Sequence, residues 1–336
     1  MSSGIIRDWS FVTLYIYSPI VGPTGGTELL QQFCNVARSQ GVDAKMLYES
    51  NPVGSPILEK FGFYGNPYVT EFEDISSNAI IIPEHFAEKA ARVHRAKTSI
   101  WWMSVDNYWG ASYHPDGYSY KDVYRVARRI LYRPIHKRNL RVFRTCFHFY
   151  QSEYARSYLL NDLHIDQSLV HPLSDYIDLR YRENPSVIRR DTVLYNPKKG
   201  IRYTRKLVSA DSSIDWVPLE GYSLDSLIEV MQESKLYIDF GSHPGKDRLP
   251  REAAACGCCV LTGTRGAAAN DIDIPIDRRL KIDVFDVEEV LRRIHLLLDN
   301  YKAEYVKLLP YRKRIASEKA TFEAEVRHAA SILLNN

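Results

Sequence analysis

Glu252 is the residue whose setting points most directly to chemistry. The stretch from Lys235 to Gly263 is typical of a strand, a loop, a helix and a second strand. The apolar residues Leu236, Tyr237, Ile238 and Phe240 are followed by Gly241, and three alanines follow Glu252. In a parallel βαβ unit the loop lies at the carboxyl edge of the sheet, where ligands bind in open α/β folds. We therefore expect Glu252 at the junction of loop and helix, next to a ligand.

The loop before Glu252 carries side chains of both charges, which suit a ligand with phosphate and hydroxyl groups. A charge cluster is usually a solvated surface, but this one lies between two apolar strands, which favours a functional loop. The charged or titratable residues of this loop are His243, Lys246, Asp247, Arg248 and Arg251.

Two further loops directly follow predicted strands. Gly25, Gly26 and Thr27 open a helix, where glycines allow close backbone approach and free N–H groups favour a phosphate. The second loop has two lysines that could neutralise a diphosphate leaving group without a metal; its residues are Asn196, Lys198 and Lys199. Taken alone, the first loop could be a structural turn and the lysines could be solvated.

An aromatic strand runs into Asp106 and Asn107. An aspartate at the carboxyl end of a strand could contact a sugar or act as a base. Trp102 and its aromatic neighbours could stack on sugar rings or lie against lipid. The alternative is a set of core aromatic residues ended by an Asx turn.

The segment 121–144 contains nine Lys or Arg residues and one acidic residue, interleaved with apolar residues. Such a basic amphipathic stretch, which includes Arg128 and Arg129, could lie on anionic lipid or face an acidic acceptor. Pro134 argues against one unbroken helix. A solvated surface and an RNA-binding patch remain the alternatives.

Composition narrows the class of protein. The chain has 336 residues, enough for two domains, and a formal net charge of +3, which does not suggest nucleic-acid binding. Its five cysteines lack metal-ligand spacing and fit a reducing cytosol, so we expect no bound metal. No stretch reaches the roughly 18 apolar residues of a membrane span, so any membrane contact would be peripheral.

Strands alternate with helices along the chain, which predicts an α/β protein with mostly parallel sheets. We predict an amino-terminal domain at 1–172, a second domain at 173–310 and a final helix at 311–336 whose part 322–334 crosses back to the first domain. The predicted linker is 169–181. The predicted strands include 11–17, 44–48, 79–82, 99–105 and 191–195, and the predicted helices include 84–96, 287–300 and 303–334.

Together these residues resemble the retaining glycosyltransferases of the GT-B fold, most closely glycosyltransferase family 4. Gly25–Glu28 resembles the family's Gly-Gly-x-Glu loop after the first strand, and Lys199-Gly200 resembles its basic turn at the start of the second domain. Glu252–Gly257 is similar to its Glu-Ala-x-Ala-x-Gly helix. The segment PLSDYI at 172–177 resembles its turn into the second domain. The resemblance implies two Rossmann-like domains facing a central cleft. It also implies a nucleotide diphosphate sugar as donor and a glycan or lipid-linked glycan as acceptor.

Carried over by residue, the resemblance implies that Gly25 and Gly26 lie against the donor diphosphate, Lys199 binds the phosphates and Glu252 binds the ribose hydroxyls. Asp106 falls near a family histidine that contacts the donor sugar. Pro244 stands where the family usually has a second Glu, eight residues before Glu252. The contacts to the donor sugar are therefore expected to differ, and His243, Lys246 and Asp247 are available instead.

We thus expect a cytosolic glycosyltransferase that can associate with the inner face of the membrane and acts without a metal or cofactor. If the outcome is retaining, the departing phosphate takes the acceptor proton; if it is inverting, Asp106 is the better base. A sugar-nucleotide epimerase of the same architecture and a non-catalytic glycan- or lipid-binding protein with a decayed donor site are the alternatives. A dehydrogenase is disfavoured, because the loop at Gly25 and Gly26 lacks the full G-x-G-x-x-G fingerprint of that class.

Overall fold

The chain folds into two parallel β-sheets with helices between successive strands. A computed structural model describes residues 12–20, 22–108, 141–283 and 286–335. The strands of the first sheet are β1 (Thr13–Tyr17), β2 (Asp43–Leu47), β3 (Tyr68–Val69), β4 (Ala79–Pro83), β5 (Lys97–Trp102), β6 (Phe147–Tyr150) and β7 (Val170–Pro172). Those of the second are β8 (Arg190–Tyr195), β9 (Asp215–Pro218), β10 (Ser234–Asp239), β11 (Cys259–Gly263) and β12 (Lys281–Ile282).

The first sheet has the order β3-β2-β1-β4-β5-β6-β7 and the second the order β12-β11-β10-β8-β9. Every strand pair in the described residues is parallel. This confirms the predicted α/β class with parallel sheets.

Helices connect successive parallel strands, as parallel pairing requires, and three more helices follow β12. The α-helices are α1 (Gly25–Ser39), α2 (Pro56–Phe61), α3 (Val105–Tyr108), α4 (Glu153–Ser157), α5 (Ile201–Ala210), α6 (Leu224–Glu233), α7 (Arg248–Ala255), α8 (Val287–Asp299), α9 (Tyr301–Lys307) and α10 (Leu309–Leu334). Short 3₁₀ segments lie at Gly62–Tyr64, Glu84–Arg92, Gln167–Leu169, Ala267–Ala269 and Arg278–Leu280, and a π turn lies at Tyr158–Asp162.

Several predicted bounds are wrong for local reasons. The predicted helix 84–96 is a 3₁₀ segment that ends at Arg92 and is interrupted at Phe86, whose φ is −115°. The predicted strand 99–105 ends at Trp102, because the next residues turn to the second domain and the Val105 N–H donates to the Pro244 carbonyl (3.1 Å). The predicted helix 303–334 is divided at Leu308, and Pro310 stands in the first turn of α10, where its missing N–H costs nothing.

The final helix, α10, packs into the cores of both domains. Tyr311 and Ile315 belong to the apolar core around the second sheet. Phe322 and Val326 belong to the core formed by β1, α1 and β2 of the first domain. A single helix therefore connects the two domains through buried apolar contacts.

None of the helices in the described ranges is long and apolar enough to span a membrane. Arg128 and Arg129 lie outside the described residues, as does most of the basic segment 121–144.

Replacing Phe322 by Ala tests the contribution of α10 to the first domain. Phe322 is fully buried, so we expect the free energy of unfolding to fall by about 3–5 kcal/mol through lost burial and the cavity left behind. Urea denaturation measures this loss. Arg327→Ala, at an exposed position of the same helix, is the control, and an equal effect of the two substitutions would contradict the packing.

Candidate active site

The two domains meet where the strand order of each sheet reverses. In the first sheet β1 lies between β2 and β4, and in the second β8 lies between β9 and β10. In open α/β sheets, ligands bind beyond the carboxyl ends of the strands at such a reversal. The loops that leave β1, β4, β8 and β10 are therefore the expected walls of a site.

A cavity of about 500 Å³ lies between the domains, within the usual size range for a small-molecule site. It is lined by Gly25, Gly26, Thr27, Asn107, Lys246, Asp247 and Arg248 among the predicted residues, and also by Glu84, Ser104 and Gln151. The other predicted residues in the described part of the chain do not line it; they are Trp102, Asp106, Asn196, Lys198, Lys199, His243 and Glu252.

Helix α1 begins at the cavity wall. Thr24 is its N-cap, and Thr24 and Thr27 form a reciprocal capping box in which the Thr24 N–H donates to Thr27 Oγ1 (2.8 Å). The Thr27 hydroxyl thus accepts a hydrogen bond in the N-cap of α1. The first N–H groups of a helix have no partner within it and attract anions. Gly25 and Gly26 therefore present a site for phosphate to the cavity.

Arg248 faces this helix start from the second domain. Its guanidinium Nη1 lies 2.6 Å from Glu28 Oε2. A Cβ on Gly25 would lie 3.6 Å from Arg248 Nε. The N-terminus of α1 and a guanidinium group therefore approach the same part of the cavity, which is a favourable setting for a diphosphate.

At the cavity wall, Asp247 belongs to a charge cluster that extends into the protein interior. Its Oδ2 is 2.7 Å from Lys199 Nζ and 3.2 Å from Nδ1 of His243, which is fully buried. Nε2 of the same imidazole lies 4.0 Å from Asp239 Oδ1. Burial acts to lower the pKa of His243, but Asp239 and Asp247 outweigh it and raise that pKa.

The groups of Asp239, His243 and Asp247 lie within 4.8 Å of one another and could in principle hold a cation. They fit a protonated imidazole better. The two ring nitrogens of His243 face different carboxylates, and the Lys199 ammonium already contacts Asp247. An imidazole and an ammonium thus lie beside the two carboxylates of this cluster.

Asn196 and Lys198 shape the loop after β8. The Asn196 side chain donates to Asp239 (3.3 Å) and accepts from the Lys198 N–H (2.9 Å), and the Lys198 side chain is exposed. Asn196 therefore holds the turn that carries Lys199.

Lys246 belongs to a buried network of four charges. Its Nζ lies 2.8 Å from Glu318 Oε1, and Arg251 pairs with Glu318 (2.7 Å) and with Asp175 (2.6 Å). The Lys246 ammonium, predicted to bind the donor, thus forms an ion pair with Glu318 of helix α10. This network joins the loop before α7, the linker and α10.

Glu252 lies in the second turn of α7, not at the junction of loop and helix, because the helix begins at Arg248. Only 7% of it is exposed, and its carboxylate has no hydrogen bond or ion pair within the described ranges. Burial raises its pKa to about 7, although Arg248 and Arg251 act to lower it. A buried carboxyl group without a partner is typical of a functional site.

Asp106 and Trp102 have partners inside the protein. The Asp106 carboxylate accepts from the Ser242 hydroxyl (2.9 Å) and the Tyr154 hydroxyl (3.2 Å). The predicted contact of Trp102 with an acceptor or a membrane is wrong, because its side chain is fully buried and donates to His148 Nδ1 (2.9 Å).

Sequence reasoning missed Glu84, Asp175 and Glu318. Glu84 directly follows β4, so the rule that selected Asp106, a carboxylate at the carboxyl end of a strand, could have found it. The contacts of Asp175 and Glu318 span 76 and 67 residues along the chain to Arg251, and nothing in the local sequence indicates them.

Solved structures share this architecture. A glycosyltransferase from Rickettsia africae aligns with a TM-score of 0.61 at 11% identity, covering 97% of this chain and 99% of that chain. Anabaena HepE, solved in complex with UDP-glucose, aligns with a TM-score of 0.64 at 10% identity, covering 96% and 100%. The sucrose-phosphate synthase from Thermosynechococcus elongatus gives 0.64 at 11% identity, covering 96% and 98%.

No protein-family model matches the sequence, and a search of curated proteins finds no match. At these identities the structural likeness defines the fold. Two parallel α/β domains that close on a common cavity, together with these neighbours, confirm the predicted GT-B fold.

Gly245→Ala tests how closely the loop before α7 must approach the first domain. A Cβ at Gly245 would lie 2.0 Å from the Met103 carbonyl oxygen. We expect the loop to be displaced and the free energy of unfolding, measured in urea, to fall by about 1–3 kcal/mol. Gly62→Ala is the control, because a Cβ there meets open space; equal stability of the two variants would refute the close contact.

Glu252→Gln tests the unpaired carboxyl group. Because its pKa rises from the usual 4.5 to about 7, the folded state holds more protons than the unfolded state between these pH values. Stability therefore falls as pH rises through this window and stays lower above it. We expect the variant to exceed the wild type by up to about 3 kcal/mol at pH 8 and by little near pH 5. Urea denaturation at both values measures this, and an equal difference at both would contradict the assignment.

Proposed function

We propose that the protein is a glycosyltransferase that moves a sugar from a nucleoside diphosphate sugar to a glycan or lipid-linked glycan acceptor. The convergence of α1 and Arg248 on one interdomain cavity carries this proposal, because it provides a site for a diphosphate. Glu252, one helical turn after Arg248, offers an unpartnered carboxyl group for hydroxyls. Anabaena HepE, which has the same fold, was solved with UDP-glucose bound.

In this proposal the N–H groups of Gly25 and Gly26 and the guanidinium of Arg248 bind the donor diphosphate. Glu252 accepts hydrogen bonds from the ribose hydroxyls. Lys199 is the second phosphate ligand: its ammonium lies at Asp247, and its side chain is 36% exposed, so it can exchange one anionic partner for another.

The donor sugar then lies against the loop 244–248. Asp247 is the carboxylate of this loop that lines the cavity. Burial alone would raise its pKa, but His243 and Lys199 lower it, so the group is ionised and can accept hydrogen bonds from sugar hydroxyls. We assign to Asp247 the contact that the family Glu, replaced here by Pro244, would otherwise make.

Transfer requires the bond between sugar C1 and the diphosphate oxygen to break. The helix start and Arg248 stabilise the charge that develops on the departing diphosphate, which supports a reaction without a metal. The stereochemical outcome depends on which group takes the acceptor proton. Retention follows if the departing phosphate takes it on the same face, and inversion follows if a protein base acts on the opposite face.

A reducing compartment such as the cytosol suits the five cysteines, all of which are free and buried. We propose a peripheral membrane contact through 121–144, supported by the basic composition of that segment.

Thermal unfolding with UDP, GDP, ADP and TDP tests the donor site. A ligand present at 100 times its dissociation constant stabilises a protein by about 2.7 kcal/mol. We expect at least one nucleotide to raise the melting temperature and Glu252→Gln to abolish this shift, while the exposed control Glu229→Gln preserves it. The sugar derivatives of the best nucleotide then identify the donor.

Absence of stabilisation by any nucleotide would contradict the proposal and favour a non-catalytic protein with a decayed site. Isomerisation of the donor without an acceptor would identify an epimerase. Loss of activity in EDTA that Mg²⁺ or Mn²⁺ restores would overturn the metal-independent mechanism.

A further inference from the structure

His243 is a fully buried titratable residue in the loop before α7, and it does not line the cavity. Its backbone is fixed, because its carbonyl accepts from the Ala267 N–H (2.8 Å) and it pairs with Gly266 in a parallel bridge. Its imidazole lies between two carboxylates, with Nδ1 3.2 Å from Asp247 Oδ2 and Nε2 4.0 Å from Asp239 Oδ1. Neither ring nitrogen makes a well-aligned hydrogen bond in the described ranges, so the ring is able to move closer to one carboxylate.

The two carboxylates depend on His243 to different degrees. Asp239 accepts hydrogen bonds from three other groups, which are the Tyr237 hydroxyl (2.9 Å), the Gly241 N–H (2.9 Å) and the Asn196 amide (3.3 Å). In the part of the chain that the structure describes, the Asp247 carboxylate contacts only Lys199 and His243, and it makes no side-chain cap for α7. Asp247 therefore keeps a single partner, His243, whenever Lys199 binds another anion.

We propose that His243 is the counter-ion that holds Asp247 in place when the donor diphosphate takes Lys199. The inference rests on the proposed function, in which Lys199 exchanges Asp247 for a phosphate and Asp247 contacts the donor sugar. Without a second cation this exchange would leave a partly buried carboxylate unpaired, which is unfavourable. The imidazolium of His243 instead approaches Asp247 and keeps its carboxylate at the cavity. His243 is thus a positioning residue that acts through Asp247 and does not touch the substrate.

The exchange links donor binding to the protonation of His243. Burial acts to lower the pKa of His243, but Asp239 and Asp247 raise it by more, and the Lys199 ammonium opposes them. When Lys199 moves to the donor, this opposition is removed and the pKa rises further. Donor binding is therefore accompanied by proton uptake between the two pKa values, and the affinity falls as pH rises through this window. Asp247, which contacts the ring and lines the cavity, connects His243 to solvent.

Other titratable groups contribute to the pH dependence of donor binding. Burial raises the pKa of Glu252 to about 7 and that of Glu84 to about 8. Both groups are present in the wild type and in a His243 variant, so the difference between the two proteins isolates the contribution of His243. The titratable or charged groups on the segments packed against His243 are Asp106, Lys199, Tyr237, Asp239, Asp247 and Arg265.

Isothermal titration calorimetry with a nucleotide sugar measures the proton uptake. The probe is whichever of UDP-glucose, GDP-mannose, ADP-glucose and TDP-glucose binds the wild type most tightly, because a diphosphate diester has no proton that titrates near neutral pH. Binding heats are compared in buffers of different ionisation enthalpy from pH 6 to 9. EDTA is present throughout, so that no metal ion occupies the same carboxylates.

His243→Gln keeps a hydrogen-bond donor for Asp247 but carries no charge. We expect the wild type to take up a proton that this variant does not, and the wild-type Kd to rise by about fivefold or more across the pH range relative to that of the variant. Lys199→Met, at a partly exposed position, leaves the buried ring intact. It should also lose the uptake, because no ammonium leaves Asp247. His295→Gln removes a surface imidazole that contacts Asp211 (2.6 Å), and this control should keep the wild-type uptake.

Equal proton uptake by the wild type and His243→Gln at every pH would overturn the inference, as would wild-type uptake in Lys199→Met. If His243→Gln does not fold, Lys199→Met decides the question alone. Binding of none of the four nucleotide sugars by the wild type would contradict the proposed function itself, and the inference with it.

Discussion

Four buried charges fix the relative position of the three segments that form the back of the cleft. Arg251 is almost completely buried and reaches Asp175 in the linker and Glu318 in α10, and Lys246 pairs with the same Glu318. A buried charge without a partner costs several kcal/mol, so each member is tolerable only when the others are in place. The network therefore favours one arrangement of loop, linker and helix, and the walls of the cavity depend on that arrangement.

Backbone contacts then set the distance between the loops. Gly200 has a φ of +63°, and a Cβ there would lie 2.7 Å from the Gly241 nitrogen. Gly245 lies against the Met103 carbonyl across the domain boundary, where a side chain does not fit. The loop that carries Pro244 in place of a family Glu is thus held close to the first domain. This proximity places Asp247 at the cavity.

The parallel sheets and the positions of the loops after β1, β8 and β10 could be predicted because their signals are local. Apolar runs ended by glycine or proline mark β1, β8 and β10, and the loops follow directly. Pairing across the chain could not be predicted. Lys246 looks like a free phosphate ligand in the sequence, but Glu318, 72 positions later, neutralises it. Trp102 resembles a stacking surface until the packing around β5 buries it. Glu252 could be predicted to lie beside the loop that follows β10, but its lack of a partner is visible only in three dimensions.

The final helix has a consequence for how this protein folds during synthesis. It is 26 residues long, about 39 Å, and Phe322 and Val326 complete the core of a sheet whose last strand ends at Pro172. Domains generally fold as the ribosome releases them, the amino-terminal one first. Here the first domain must wait for roughly 150 further residues before its core can close. Its apolar surface beside α1 stays exposed during that interval, which makes it a natural site for chaperone binding on the nascent chain.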